Sequence, residues 1–85
     1  MSVVAVRLDP QAWIDVEAGT EALLDHWSVA PGDRVEAGQV IGGAVLVKSN
    51  LELNAPAAGR LVRIEVAAEH TFGKEAALAW IDTSG

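Results

Sequence analysis

The sequence predicts an all-β sandwich or barrel made of two similar halves, and three observations carry that prediction. Its apolar runs are short and are broken every 8 to 12 residues by Gly or Pro, the rhythm of strands joined by tight turns. Residues 61–66, LVRIEV, alternate apolar with charged side chains as a half-buried strand does. Finally, a shift of 37 positions lays the chain on itself, placing Leu24 on Leu61, Trp27 on Ile64, Val29 on Val66, Val35 on Phe72 and Ile41 on Leu78. The segment between the matches is turn-like in both halves, Pro31-Gly32-Asp33 in one and Glu69-His70-Thr71 in the other. Two such halves imply a pseudo-twofold axis.

Residues 3–8, VVAVRL, form the first predicted strand, ended by Asp9-Pro10 because proline has no donor for a ladder. Residues 12–16 carry Trp13, Ile14 and Val16 and are expected to be a short extended piece before the break at 17–20. Residues 21–29 fit either a helix, through Ala22, Leu23, Leu24 and Trp27, or a strand, through Ala22, Leu24 and His26. Periodicity leaves the choice open; the 37-residue shift decides for a strand, because its partner segment is plainly strand-like. Residues 30–33 then make a strong turn. Gly42-Gly43 breaks the chain again before residues 44–56, AVLVKSNLELNAP, and 55–59 close that stretch. The last apolar run is 76–81, and 82–85 are expected to fray. The expected core comprises Trp27, Val29, Val35, Ile41, Leu61, Ile64, Val66, Phe72, Leu78 and Ile81.

Eighty-five residues make one domain, 1–85, with room for one simple task. No apolar run approaches the roughly 20 residues that span a bilayer. No basic leader precedes an apolar segment, so a cytoplasmic protein without membrane attachment is expected. The absence of cysteine excludes disulfides, thiolate metal sites and cysteine nucleophiles, and the isolated His26 and His70 fall short of a metal ligand set. A net charge of −6 opposes the phosphate neutralisation on which nonspecific nucleic-acid binding depends. Ser, His and Asp residues are scattered with no nucleophile motif around them, so no catalytic residues are expected.

Lys48 is the centre of the most organised stretch. An apolar run enters it and an alternating run leaves it, which places it at a hairpin tip. A two-residue loop Lys48-Ser49 would pair Val47 with Asn50, Leu46 with Leu51 and Ala44 with Leu53, turning Ala44, Leu46, Leu51 and Leu53 to one inward face. Val45 and Val47 would then point away from that face as an apolar collar around the lysine.

With these pieces in place the chain resembles the lipoyl/biotinyl carrier domain family. The family's G-D-x-V-x-x-G-x-x-(L/I) turn is matched by Gly32-Asp33-Arg34-Val35-Glu36-Ala37-Gly38-Gln39-Val40-Ile41. The modified lysine of lipoyl domains stands sixteen residues after the first glycine of that turn, which here is Lys48; the family's acid four residues later is Glu52, and its A-P-x-x-G is Ala55-Pro56-Ala57-Ala58-Gly59. The resemblance implies a flattened barrel of two four-stranded antiparallel sheets related by a quasi-twofold axis. It implies covalent lipoyl attachment at Lys48, recognition of Val47, Ser49 and Glu52 by a lipoate-attaching enzyme or a partner, and no catalytic or metal site. Amide formation there would take the net charge from −6 to −7. The implied partners are the dehydrogenase and acyltransferase components of a multienzyme complex, served by a domain that is monomeric in isolation.

The immediate neighbours depart from the family. Lipoyl domains carry D-K-A and biotinyl domains M-K-M, whereas this chain has Val47-Lys48-Ser49, and Val45 stands where both commonly have Glu. Val before the lysine is similar to the S-V-K-A of the glycine cleavage H protein. Trp27 five residues before Gly32, the small Ser49 and the lack of a methionine near Lys48 favour lipoate over biotin. The alternatives are a biotin carrier and an unmodified interaction domain of the same fold.

Overall fold

The computed structural model describes residues 2–84. Among the described residues, eight strands form two four-stranded antiparallel sheets. In chain order they are β1 (Val3–Val6), β2 (Ala22–Trp27), β3 (Arg34–Val35), β4 (Val40–Leu46), β5 (Ser49–Asn54), β6 (Gly59–Ile64), β7 (Thr71–Phe72) and β8 (Ala79–Asp82). One sheet runs β1-β8-β6-β3 and the other β5-β4-β2-β7. The all-β architecture is as the sequence pattern predicts, and its two four-stranded sheets are as the resemblance implies. Among the described residues no helix is long and apolar enough to cross a membrane.

The 37-residue repeat holds down to single hydrogen bonds. Displaced by 37, β2 falls on β6 and β3 on β7, and the pairing Ala22↔Phe72 becomes Gly59↔Val35. Both halves carry an irregularity at the same place, between Leu24 and His26 and between Leu61 and Arg63. Ser28 N–H donates to the Ile41 carbonyl at 2.8 Å, and Glu65 N–H to that of Leu78 at 2.8 Å. Gly32 N–H donates to Leu61 O at 2.7 Å, and its counterpart Glu69 N–H to Leu24 O at 2.6 Å. That bond needs a left-handed backbone, with φ +100° at Gly32 and +71° at Glu69. Glycine adopts it without steric cost and glutamate does not, so the two halves meet one geometric demand with unequal residues.

Every matched apolar pair has equal burial. Leu24, Leu61, Val35, Phe72, Ile41 and Leu78 are buried, whereas Trp27, Val29, Ile64 and Val66 are only partly buried and pack against the core's rim. The last four are therefore corrected from core to rim. Trp27 indole N–H donates to the Val66 carbonyl at 2.8 Å, tying the two rims together. Val6, Leu8, Trp13, Ala22, Ala44, Leu46, Leu53, Ala55, Ala79 and Ile81 complete the buried hydrophobic set with those six.

Three element assignments change. β1 stops at Val6 rather than at residue 8, although Leu8 is still buried. Residues 12–16 are not an extended piece: a 3-10 helix spans Pro10–Trp13, with Asp9 as its cap. Asp9 accepts from Gln11 N–H at 2.9 Å, and Pro10 sits in the first turn, where its missing donor costs nothing. The same Asp-Pro pair that ends a strand thus begins a helix. Trp13 is buried edge-on to Phe72, centroids 6.3 Å apart, which anchors the β1–β2 connection to the core. Finally, residues 82–84 of the expected frayed tail are held by pairing and hydrogen bonds. Asp82 belongs to β8 and pairs with both Val3 and Arg60, Thr83 N–H donates to Ser2 O at 2.8 Å, and Ser84 donates to the Asp82 carboxylate through its hydroxyl and its N–H. These two donors, the hydroxyl first, hold the Asp82 carboxyl below its ordinary range. The remainder of that expected tail, Gly85, lies outside the described residues.

Candidate functional site

β4 and β5 form the longest hairpin of the fold, and Lys48 is at its tip. The pairs are Gly42↔Leu53, Gly43↔Glu52, Ala44↔Leu51, Val45↔Asn50 and Leu46↔Ser49. The two-residue loop is therefore Val47-Lys48, one residue earlier than the expected Lys48-Ser49. Each expected pair moves by two, so Ala44, Leu46 and Leu53 are still buried and Leu51 partly so on one face. A slip of two keeps every side chain on its own face, whereas a slip of one would have reversed them all. Buried Leu46, next to the loop, pins the tip to the core.

A two-residue hairpin loop demands positive φ at its first central position. Here that residue is Val47, at φ +58°, a backbone that a β-branched side chain adopts only under strain. Asp or Asn tolerates this region, so the acid that lipoyl domains place before their lysine suits the backbone as well as a reader of charge. Val47→Asn is expected to raise stability in urea unfolding by about 1 kcal/mol, the lower end of such strain. An unchanged or lowered stability would show that the loop is not held this way.

Lys48 is exposed, and among the described residues its ammonium has neither a hydrogen-bond nor an ion-pair partner. It is a free primary amine carried on a rigid ribbon. Val47 and Ser49 flank it, also exposed. Glu52 is not at the tip: it lies across from Gly43, about 10 Å along the strand from Ser49 at the usual rise per residue. There it lines a concavity on the outer face with Asp25, His26 and Asn50, where His26 Nδ1 is 2.8 Å from the Asp25 carboxylate. Val45 is also on this outer face, half-buried between Leu23 and Asn50, so it does not join Val47 in a collar at the lysine.

The tip has a neighbour that sequence reasoning missed. Ala12, Ile14 and Val16, from the connection between β1 and β2, lie against Leu46, Val47, Ser49 and Leu51 around a groove of about 310 Å³. At least thirty positions of sequence separate the residues of the two walls, and nothing in the local pattern at Trp13-Ile14-Asp15 announces the contact. Among the described residues no three His, Asp or Glu side chains are grouped as metal ligands. What the tip offers chemically is an accessible amine, fit for acylation, beside an uncharged apolar groove.

The sequence matches the family described as biotin-requiring enzymes over residues 15–81, most of its length. No curated protein matches it significantly. The chain belongs to this family of biotin/lipoyl attachment domains, and the match spans the Gly32–Ile41 turn, Lys48 and the Ala55–Gly59 closure.

Proposed function

We propose that this attachment domain is a lipoyl carrier, with Lys48 the residue acylated. The observation that carries the reading is the position of Lys48 in the two-residue loop between β4 and β5, exposed and, among the described residues, unpartnered, in a chain of this family. The preference for lipoate rests on Trp27 before the Gly32-Asp33 turn, on small Ser49, and on the lack of a methionine beside the lysine. A biotin carrier is the second reading.

In this account the chain does no bond chemistry of its own. When attached, the lipoyl group supplies acyl and electron carriage between active sites. The protein supplies the amine, the height at which it is held and the surface that partners read. Buried Leu46 and the β4–β5 ladder fix the tip against the barrel, so an incoming enzyme meets Lys48 at one distance above the sheets. Acylation removes the lysine charge, leaving a neutral arm on an acidic domain. Tethering then replaces free diffusion by an effective concentration of up to about the millimolar range. Val47 and Ser49 are the nearest groups for a lipoate-attaching enzyme to recognise, and Glu52 is a more distant contact on the outer face. The partners served are dehydrogenase and acyltransferase components of a multienzyme complex.

Expression with a lipoate-attaching enzyme and lipoate, and in parallel with a biotin-attaching enzyme and biotin, separates the readings by intact mass. One lipoyl group per chain and no biotin is the expected result. Biotin alone would replace the first reading by the second, and neither would leave an interaction domain of this fold.

A further inference from the structure

We propose that the groove beside the hairpin tip is a berth for the acyl arm of Lys48, in which the arm rests between visits to partner sites. This deepens the reading of Lys48 as the attachment point and rests on it. The two most exposed large apolar side chains among the described residues, Val47 at 69% and Ile14 at 62%, both line this one groove. Ala12, Val16, Leu46 and Leu51 extend its apolar wall, Ser49 supplies a hydroxyl, and no charged side chain contributes. A volume of about 310 Å³ stands at the small end of ligand pockets.

The occupant is identified by position and by charge. Val47 and Ser49, the residues covalently flanking Lys48, are themselves part of the lining, so an arm leaving Lys48 begins at the groove's edge. Binding a tethered group sacrifices little translational freedom, which lets a shallow surface hold what it could not capture from solution. An amide-linked acyl chain is neutral and mostly apolar; the unmodified ammonium is neither, so the berth fills only after acylation. Its far wall is preformed: the Asp9 cap and buried Trp13 fix the 3-10 helix that presents Ala12 and leads into Ile14. A partner's apolar side chain is the competing occupant, and the test distinguishes them because it contains no partner.

The absence of cysteine permits a test independent of any attaching enzyme. In Lys48→Cys the single thiolate is alkylated by an iodoacetamide bearing an octyl chain; a carbon–sulfur bond forms as the carbon–iodine bond breaks, releasing iodide, with the thiol proton passing to buffer. Methyl spectra are recorded against the same variant treated with plain iodoacetamide. The octyl adduct is expected to shift the Ile14 and Val16 methyls and to give cross-relaxation between the chain and Ile14, while the short adduct shifts only the tip. Ile14→Ser, a change at an exposed site, is expected to abolish the octyl-induced shift at Val16. Unshifted Ile14 and Val16, or equal shifts from both adducts, would overturn the berth and leave any lipoyl mass gain at Lys48 standing. Conversely, a missing mass gain in the wild-type chain would remove the lipoyl reading without altering these spectra.

Discussion

Gly59→Ala is expected to lower the melting temperature by roughly 15 °C, equivalent to a loss of about 3 kcal/mol in a domain of this size. A Cβ at Gly59 would lie 2.2 Å from the Asp82 carbonyl oxygen and 2.9 Å from Ile81 Cγ2. The obstacle is backbone, and that backbone cannot step aside. Asp82 is held on one side by Val3 and on the other by Arg60, while Gly59 itself is paired with Val35. Relief would require separating β6 from β8 at the centre of their sheet. Gly73 serves as the control, since a Cβ there meets nothing within 4 Å and its backbone needs no positive φ; Gly73→Ala is expected to be nearly neutral. Thermal unfolding followed by circular dichroism measures both, and a Gly59→Ala protein as stable as the parent would refute the close approach of these strands.

The second large effect concerns placement of the amine rather than its presence. Exchanging the loop residues, Val47→Lys with Lys48→Val, keeps composition, charge and strand pairing but moves the amine to the first loop position. Acylation by a lipoate-attaching enzyme is expected to slow by about 100-fold, because an attacking group displaced by an ångström or more loses that order of rate. Folding is expected to persist, since the exchange also takes a β-branched residue out of the left-handed position at 47. Timed intact-mass measurement gives the rate. Equal rates would mean that any lysine near the tip suffices and that the height and direction set by the hairpin are irrelevant.

What the sequence made legible was mainly parity and symmetry. Alternation assigned Ala44, Leu46 and Leu53 to the inward face, and the 37-residue shift fixed β2 as a strand where periodicity was ambiguous. The register of the hairpin escaped, because a slip of two residues leaves the apolar pattern unchanged and neither Val-Lys nor Lys-Ser carries the Asn-Gly signal that marks a loop. Positive φ at Val47 was illegible for a related reason: a β-branched residue is the last expected there, and the ladder on either side imposes it. The Asp9-Pro10 pair was read as a stop when it also starts a 3-10 helix. That reading hid the groove, whose walls meet only once Trp13 is packed against Phe72. Glu52, four residues after the lysine and expected on the strand beyond the tip, is on that strand's outer face.

The chain has only two lysines, Lys48 and Lys74, so one measurement reaches the centre of the account. Protein recovered from cells that contain a lipoate-attaching enzyme is digested, and the peptides bearing each lysine are sequenced by tandem mass spectrometry. A lipoyl group on Lys48, none on Lys74, and none anywhere in Lys48→Arg is the predicted result. A Lys48 peptide left bare in cells that lipoylate another carrier, or an acyl group found on Lys74 instead, would contradict it.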